Sequence, residues 1–175
     1  RELGDRGGEA GSCLTFGGLK LSWGDHGGAR SLLEEGLAIA LEVRSSPLEA
    51  AARGSLGELM LGLGRHADAG RQLTRALALA EELGRPRLRG LFLRLRGELQ
   101  FADGRPEEGR ASMEEGRALL ADAKLRSDLH DLLERWSERE ADQGELDRSE
   151  ELHHDAAEEA ELSIADGPAS VVLRR

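Results

Sequence analysis

His153, His154 and Asp155 stand side by side and are the first residues in this chain to suggest a metal ion. Successive residues on a helix point about 100° apart, so adjacent histidines do not share a face as ligands four residues apart would. No metal and no other cofactor is expected there. His26 and His66 recur at one slot 40 residues apart and read as features of a repeat, while His130 opens a helix with no partner evident. Cys13 is the single cysteine, which excludes an internal disulfide framework and fits a reducing cytoplasm; it is expected to be a small packed residue rather than a nucleophile. The glycines between Gly24 and Gly28 match no dinucleotide fingerprint and read as a turn, and there is no phosphate loop, nucleophile elbow or Cys/His cluster. Paired acids abound, as they do in any glutamate-rich helix, and catalysis is not expected.

Charge is the other chemically pointed feature. Arg85, Arg87, Arg89, Arg94 and Arg96 fall within twelve residues that contain no acid. Arginine suits bidentate contact with carboxylates or phosphates, so the patch either meets an anionic partner or pairs internally with acids of the next repeat. For the internal reading, Arg94 and Glu134 occupy equivalent slots. The net charge of -10 and the lack of a broad basic footprint make nucleic acid a poor partner. Between Arg126 and Ala165 there are 14 acidic and 4 basic residues, so this stretch alone carries the whole excess. Two readings stand: a solvated outer face, or a docking surface for a basic partner.

The elements that must carry these residues are helical. Charged residues make up 33% and aromatics only 3%, with four prolines, and Leu, Ala, Glu and Arg dominate, which is the composition of an all-α chain. No run of about 18 apolar residues occurs, so no membrane span is expected. Two lysines, no asparagine and no tyrosine, against abundant Arg, Ala and Gly, suggest a GC-rich coding sequence and a bacterial source.

A repeat runs through the chain. Gly24, Gly64, Gly104 and Gly144 lie 40 residues apart. Small residues precede each by seven (Gly17, Gly57, Gly97, Ser137) and follow it by five (Ala29, Ala69, Gly109, Ser149). Leu33, Leu73, Met113 and His153 share the next slot, and Gly36, Ala76, Gly116 and Ala156 the one after. Each copy reads as two helices about a turn glycine, such as 47–62 and 67–83, with apolar spacing near 3.6. A short turn makes the pair antiparallel, and each pair covers the apolar face that its predecessor leaves open. Arg96 stands where Phe16, Leu56 and Trp136 stand, and His153 holds a large-apolar slot. Local packing at those two is expected to depart from the rest.

The pattern Leu56-Gly57, Gly64, Ala69, Leu73 and Ala76 resembles the tetratricopeptide (TPR) signature of small and large residues across a helix–turn–helix. The usual period is about 34 residues, so the chain resembles the longer, 40-residue variety of bacterial multidomain regulators, with residues such as Leu83-Gly84-Arg85-Pro86 lengthening the connection between repeats. The resemblance implies a right-handed superhelical array of antiparallel helix pairs, a TPR-like α-solenoid. Repeats are assigned to 7–46, 47–86, 87–126 and 127–166, residues 1–6 to the remnant of a preceding repeat, and 167–175 to a capping helix or tail. With Arg1 first, the chain reads as part of something longer.

By the same resemblance, first helices line a concave groove for a protein or peptide segment. Slot by slot, the second repeat presents Ala51, Gly54, Glu58 and Leu61 there. The third presents Leu91, Arg94, Glu98 and Phe101, and the fourth Asp131, Glu134 and Glu138. Phe101 beside Arg94 is the favoured anchor, with inter-repeat core as the competing place for Phe101. Clamps for a chaperone's terminal carboxylate use lysine and asparagine, and this chain has no asparagine. The implied function is non-catalytic protein–protein interaction, as the C-terminal sensor or scaffold of a larger cytoplasmic signalling or transcriptional regulator. The alternatives are a structural array that self-associates and a receptor for peptides or small molecules.

Overall fold

Backbone conformation at the joints sets the architecture. Gly24, Gly64, Gly104 and Gly144 have φ between 68° and 85°, in the left-handed region where only glycine is unstrained. At the first of them, the Gly24 amide donates to the Leu21 carbonyl at 3.0 Å and the Asp25 amide to the Lys20 carbonyl at 2.9 Å, the two bonds of a Schellman closure. The same pair of bonds recurs at residues 44, 64, 84, 104, 124 and 144. A helix therefore ends every 20 residues, not every 40, and Gly84 (φ 58°), Arg44 (φ 54°) and Lys124 (φ 55°) take the left-handed position at the joints between repeats.

The computed structural model describes residues 5–165. Among them are eight helices: α1 (Arg6–Ser22), α2 (His26–Glu42), α3 (Ser46–Gly62), α4 (His66–Glu82), α5 (Pro86–Ala102), α6 (Pro106–Asp122), α7 (Arg126–Asp142) and α8 (Leu146–Ala165). The fold is all-α, as expected. First helices begin at Arg6, Ser46, Pro86 and Arg126, one residue ahead of the expected repeat boundaries. Asp5 and Arg6 belong to α1 itself, the Asp5 side chain capping it through the Gly8 amide at 2.9 Å. The rest of the expected remnant, residues 1–4, and the expected cap or tail at 167–175 lie outside the described residues.

One expectation is corrected. Leu83-Gly84-Arg85-Pro86 does not lengthen the connection: three residues, 83–85, join α4 to α5, as three residues join the helices within a pair. The extra length over a 34-residue period is carried by the helices, 17 residues each from α1 to α7. Proline at the start of α5 and α6 and second in α3 fits, because the first turn has no intrahelical use for its missing N–H.

The chain forms two compact units, one up to Leu88 and one from Arg89. In the first, α1 packs on α2, α3 on α4, α2 on α3 and α1 on α3. Its small–large slots meet directly. A Cβ added at Gly17 would lie 2.7 Å from Leu33 Cδ2, and one at Gly57 2.8 Å from Leu73 Cδ2. Leu33, Leu56 and Leu59 form a core with Leu14, Leu21 and Leu37 against it. In the second unit the same slot pair is Gly97 against Met113, at 2.9 Å. There α6 packs on α7 and α7 on α8, over a larger core that includes Phe101, Met113, Leu120, Leu132, Trp136 and Leu152.

Both flagged departures are accommodated in the second unit. His153 turns outward, its side chain 69% exposed, and Leu152, one residue earlier, enters the core. The vacated small slot, Ser137, hydrogen-bonds the Ser149 carbonyl at 2.9 Å. Arg96 lies along α6, donating to Ser112 Oγ at 3.0 Å and pairing with Glu115 at 3.2 Å.

Candidate interaction surfaces

With the apolar slots turned inward, the residues left for recognition on the first helices are mostly charged. In the first unit Glu58 is exposed on α3 and Leu61 half-buried, while Ala51 is half-buried and Gly54 buried. In the second unit Leu91 is half-buried on α5, and Arg94 pairs with Glu98 one turn further along. That pair is well covered, its side chains 14% and 10% exposed. On α7, Asp131 is exposed, Glu134 meets His153 Nδ1 at 3.2 Å, and Glu138 pairs with Arg135 at 3.0 Å.

Phe101, the favoured anchor, takes the competing place instead. It is 4% exposed and sits in the core of the second unit, where a Cβ on Gly109 would come within 2.7 Å of its ring. Phe101 packs so closely because Gly109 occupies the small slot opposite. It therefore offers no face to a ligand.

The arginine-rich stretch pairs largely within its own repeat. Arg89 meets Glu115 at 2.5 Å and Arg96 meets the same carboxylate at 3.2 Å. The geometry is that of α5 lying along α6, so the acids that answer these arginines come from the third repeat's own second helix.

A buried charge cluster escaped the sequence reading. Glu140 of α7 is fully buried, and Arg110 of α6 holds both its oxygens, at 2.7 to 3.1 Å. Trp136 Nε1 donates to it at 2.8 Å, and Arg148 of α8 lies 3.2 Å away with its guanidinium 5.1 Å from the Trp136 ring centroid. Burial pushes the Glu140 carboxyl up, but the hydrogen bonds from Arg110 and Trp136 and the two guanidinium charges outweigh it, leaving it below its ordinary range. Arg110 is held charged above its usual value, first by its hydrogen bonds to Glu140. The same slot holds Lys20, Met60 and Gln100 in the other repeats, of which only Met60 is buried, so the sequence carried no signal that Glu140 would be. The cluster ties three helices together and is structural.

The second unit also has a cleft of about 390 Å³ between α6, α7 and α8. Its floor is Leu129 and Leu133; Ala118 and Ala121 form one wall, and Glu114, Arg117, Asp155, Glu158 and Glu159 surround the mouth. Beside it Arg126 pairs with Glu159 at 3.0 Å, and His130 Nδ1 lies 2.9 Å from the Ala156 carbonyl. Among the described residues no group of three or more His, Cys, Asp or Glu could hold a metal ion, and no helix is long and apolar enough to cross a membrane.

A tetratricopeptide repeat family model matches residues 14–82, from the middle of α1 to the end of α4. No curated protein matches the chain.

Proposed function

The chain is a tetratricopeptide-type repeat protein, and on that premise we propose that it is a non-catalytic protein-interaction module. The family is generally non-catalytic and its modules usually bind proteins or peptides. The observation that carries the reading is the family match over residues 14–82, joined to a helix pair that keeps the same register through α8. We place the protein in the cytoplasm, as the sensor or scaffold part of a larger bacterial signalling or transcriptional regulator. The lone Cys13 and the GC-type composition support that setting.

The proposed contact residues lie on first helices: Glu58 and Leu61 in the first unit, and Leu91, Arg94, Glu98, Glu134 and Glu138 in the second. Glu58 and Glu138 are exposed and offer carboxylates to basic or hydrogen-bond-donating groups of a partner segment. The test is a comparison of partners retained by the full chain and by a Glu58→Arg/Glu138→Arg variant. A partner lost by the variant, with helix content and melting temperature unchanged, supports the reading. Retention of every partner sinks the first-helix assignment.

A second reading, self-association, has its own support. Phe16 and Leu19 of α1 and Trp23 at its C-cap are 59%, 42% and 73% exposed, at the spacing of a helix stripe. The equivalent Leu56 and Leu59 of α3 are buried. Mass measured against concentration separates the readings: a dimer abolished by Phe16→Glu/Trp23→Glu supports self-association, and a monomer at every concentration removes it.

A further inference from the structure

In the second and third repeats, one slot pair is an ion pair between first and second helices. Arg75 meets Glu49 at 3.4 Å; forty residues on, Arg89 meets Glu115 at 2.5 Å with the charges exchanged. In the fourth repeat these slots hold Leu129 and Asp155. The acid is kept and its cation is gone.

A neighbouring slot has changed in the opposite sense. Leu37 of α2 packs against the core of the first unit and Leu77 stands at its place in α4, but α6 has Arg117 there. Arg117 pairs with Glu114, at 3.0 Å, and reaches Asp155 only at 3.9 Å. The small Ala118 and Ala121 stand beside it in the lining. Both replaced positions, Leu129 and Arg117, line the cleft. It offers an apolar surface beside Asp155, whose slot forms an ion pair in the two preceding repeats.

We propose that this cleft docks a basic, amphipathic peptide segment of a partner protein. One arginine side chain of that segment lays its methylene stem on Leu129 and Leu133 and its guanidinium against Asp155. Charge complementarity selects this occupant: the mouth carries four carboxylates against Arg117 and the neighbouring Arg126, which meets Glu159 at 3.0 Å, and its α7 and α8 sides belong to a stretch whose net charge is -10. Long cationic side chains bury their stems along apolar surface while the charge stays at the rim. The planar guanidinium also matches a carboxylate bidentately, as an ammonium does not. The site is separate from the first-helix surfaces. On α7, Leu129 and Leu133 lie about 100° or more of helix rotation away from Asp131, Glu134 and Glu138. Failure of either assignment leaves the other standing.

The experiment titrates the full chain into a fluorescein-labelled peptide of alternating leucine and arginine pairs and reads anisotropy. The same peptide with glutamate for arginine is the control. Saturable binding of the arginine peptide alone is expected, weakening as salt rises. Leu129→Arg rebuilds the internal pair seen at Arg89–Glu115, fills the cleft, and weakens binding at least tenfold. Because Leu129 is nearly buried, Asp155→Lys at a half-exposed position is the second variant, with the same loss expected. Glu151→Lys, an equal charge change on an exposed part of α8 away from the cleft, separates the site from general attraction. The proposal requires Asp155→Lys to weaken binding at least fivefold more than Glu151→Lys does. Absence of saturable binding, equal loss from these two variants, or equal binding of the glutamate peptide overturns it.

Discussion

Gly17 and Gly18 are neighbours in α1 and answer to different physics. A Cβ on Gly17 would collide with Leu33 at 2.7 Å, whereas one on Gly18 meets nothing within 4 Å. Alanine gains about 1 kcal/mol over glycine inside a helix, so Gly18→Ala is expected to stabilise by about that amount. Gly17→Ala must displace a fully buried leucine and is expected to lose about 1–2 kcal/mol net; urea unfolding of both variants reads the difference directly. The sequence disclosed this pairing because both partners recur at fixed slots in three of four copies. Glu140 was hidden for the opposite reason: its partner Arg110 lies thirty residues away and appears in no other copy as a pair. Breaking a buried ion pair by removing one member costs about 3–5 kcal/mol, so Glu140→Gln is expected to lose about 3 kcal/mol at pH 7. The Glu140 carboxyl titrates lower in the folded protein than its ordinary 4.5. Its contribution is therefore complete above that value and lost as pH falls through the folded one. The gap between wild type and Glu140→Gln should narrow as acid is added below 4.5 and close once pH has fallen through the folded value. A gap that stays constant to pH 2 would mean that Glu140 contributes by shape rather than charge.

At the scale of elements, the joints show what glycine spacing reveals and what it conceals. Gly24, Gly64, Gly104 and Gly144 marked every turn inside a pair, since each holds a positive φ that other residues resist. The joints between pairs have the same geometry but carry Arg44, Gly84 and Lys124, so only one of three was marked by its residue. That gap led the residues around Gly84 to be read as a long connection when the helices themselves are longer. Arg44 at φ 54° bears strain that glycine would not. Arg44→Gly is expected to stabilise by about 0.5–1 kcal/mol despite the greater freedom glycine gives the unfolded chain. Thermal melts of Arg44→Gly and of the reverse change, Gly84→Arg, should move in opposite directions. Phe101 belongs to the same lesson. Its slot on a first helix pointed to a binding face, but the glycine opposite it at 109 decided the direction in which the ring packs.

For the whole molecule, the distribution of charge was plain in the sequence while its consequence depends on structure. All 14 acids between Arg126 and Ala165 lie on or beside α7 and α8, and only Glu140 among them is fully buried. The remainder repel one another through solvent, where attraction and repulsion alike are screened within about 10 Å at 0.1 M salt. Exposed pairs such as Arg135–Glu138 and Arg139–Asp142, each 3.0 Å, add little to stability, and the buried Arg110–Glu140 pair is shielded from salt. Screening should therefore remove more repulsion than attraction. Raising NaCl from about 0.05 to 0.3 M is expected to raise the unfolding midpoint of the second unit. Trp136, 1% exposed, reports that transition by its emission shift, whereas Trp23, already 73% exposed, changes little. A midpoint that falls with salt would show that surface pairs outweigh the local excess of acid. In that case the excess costs no stability, and a basic partner docking over Leu129 and Leu133 would relieve no strain by neutralising it.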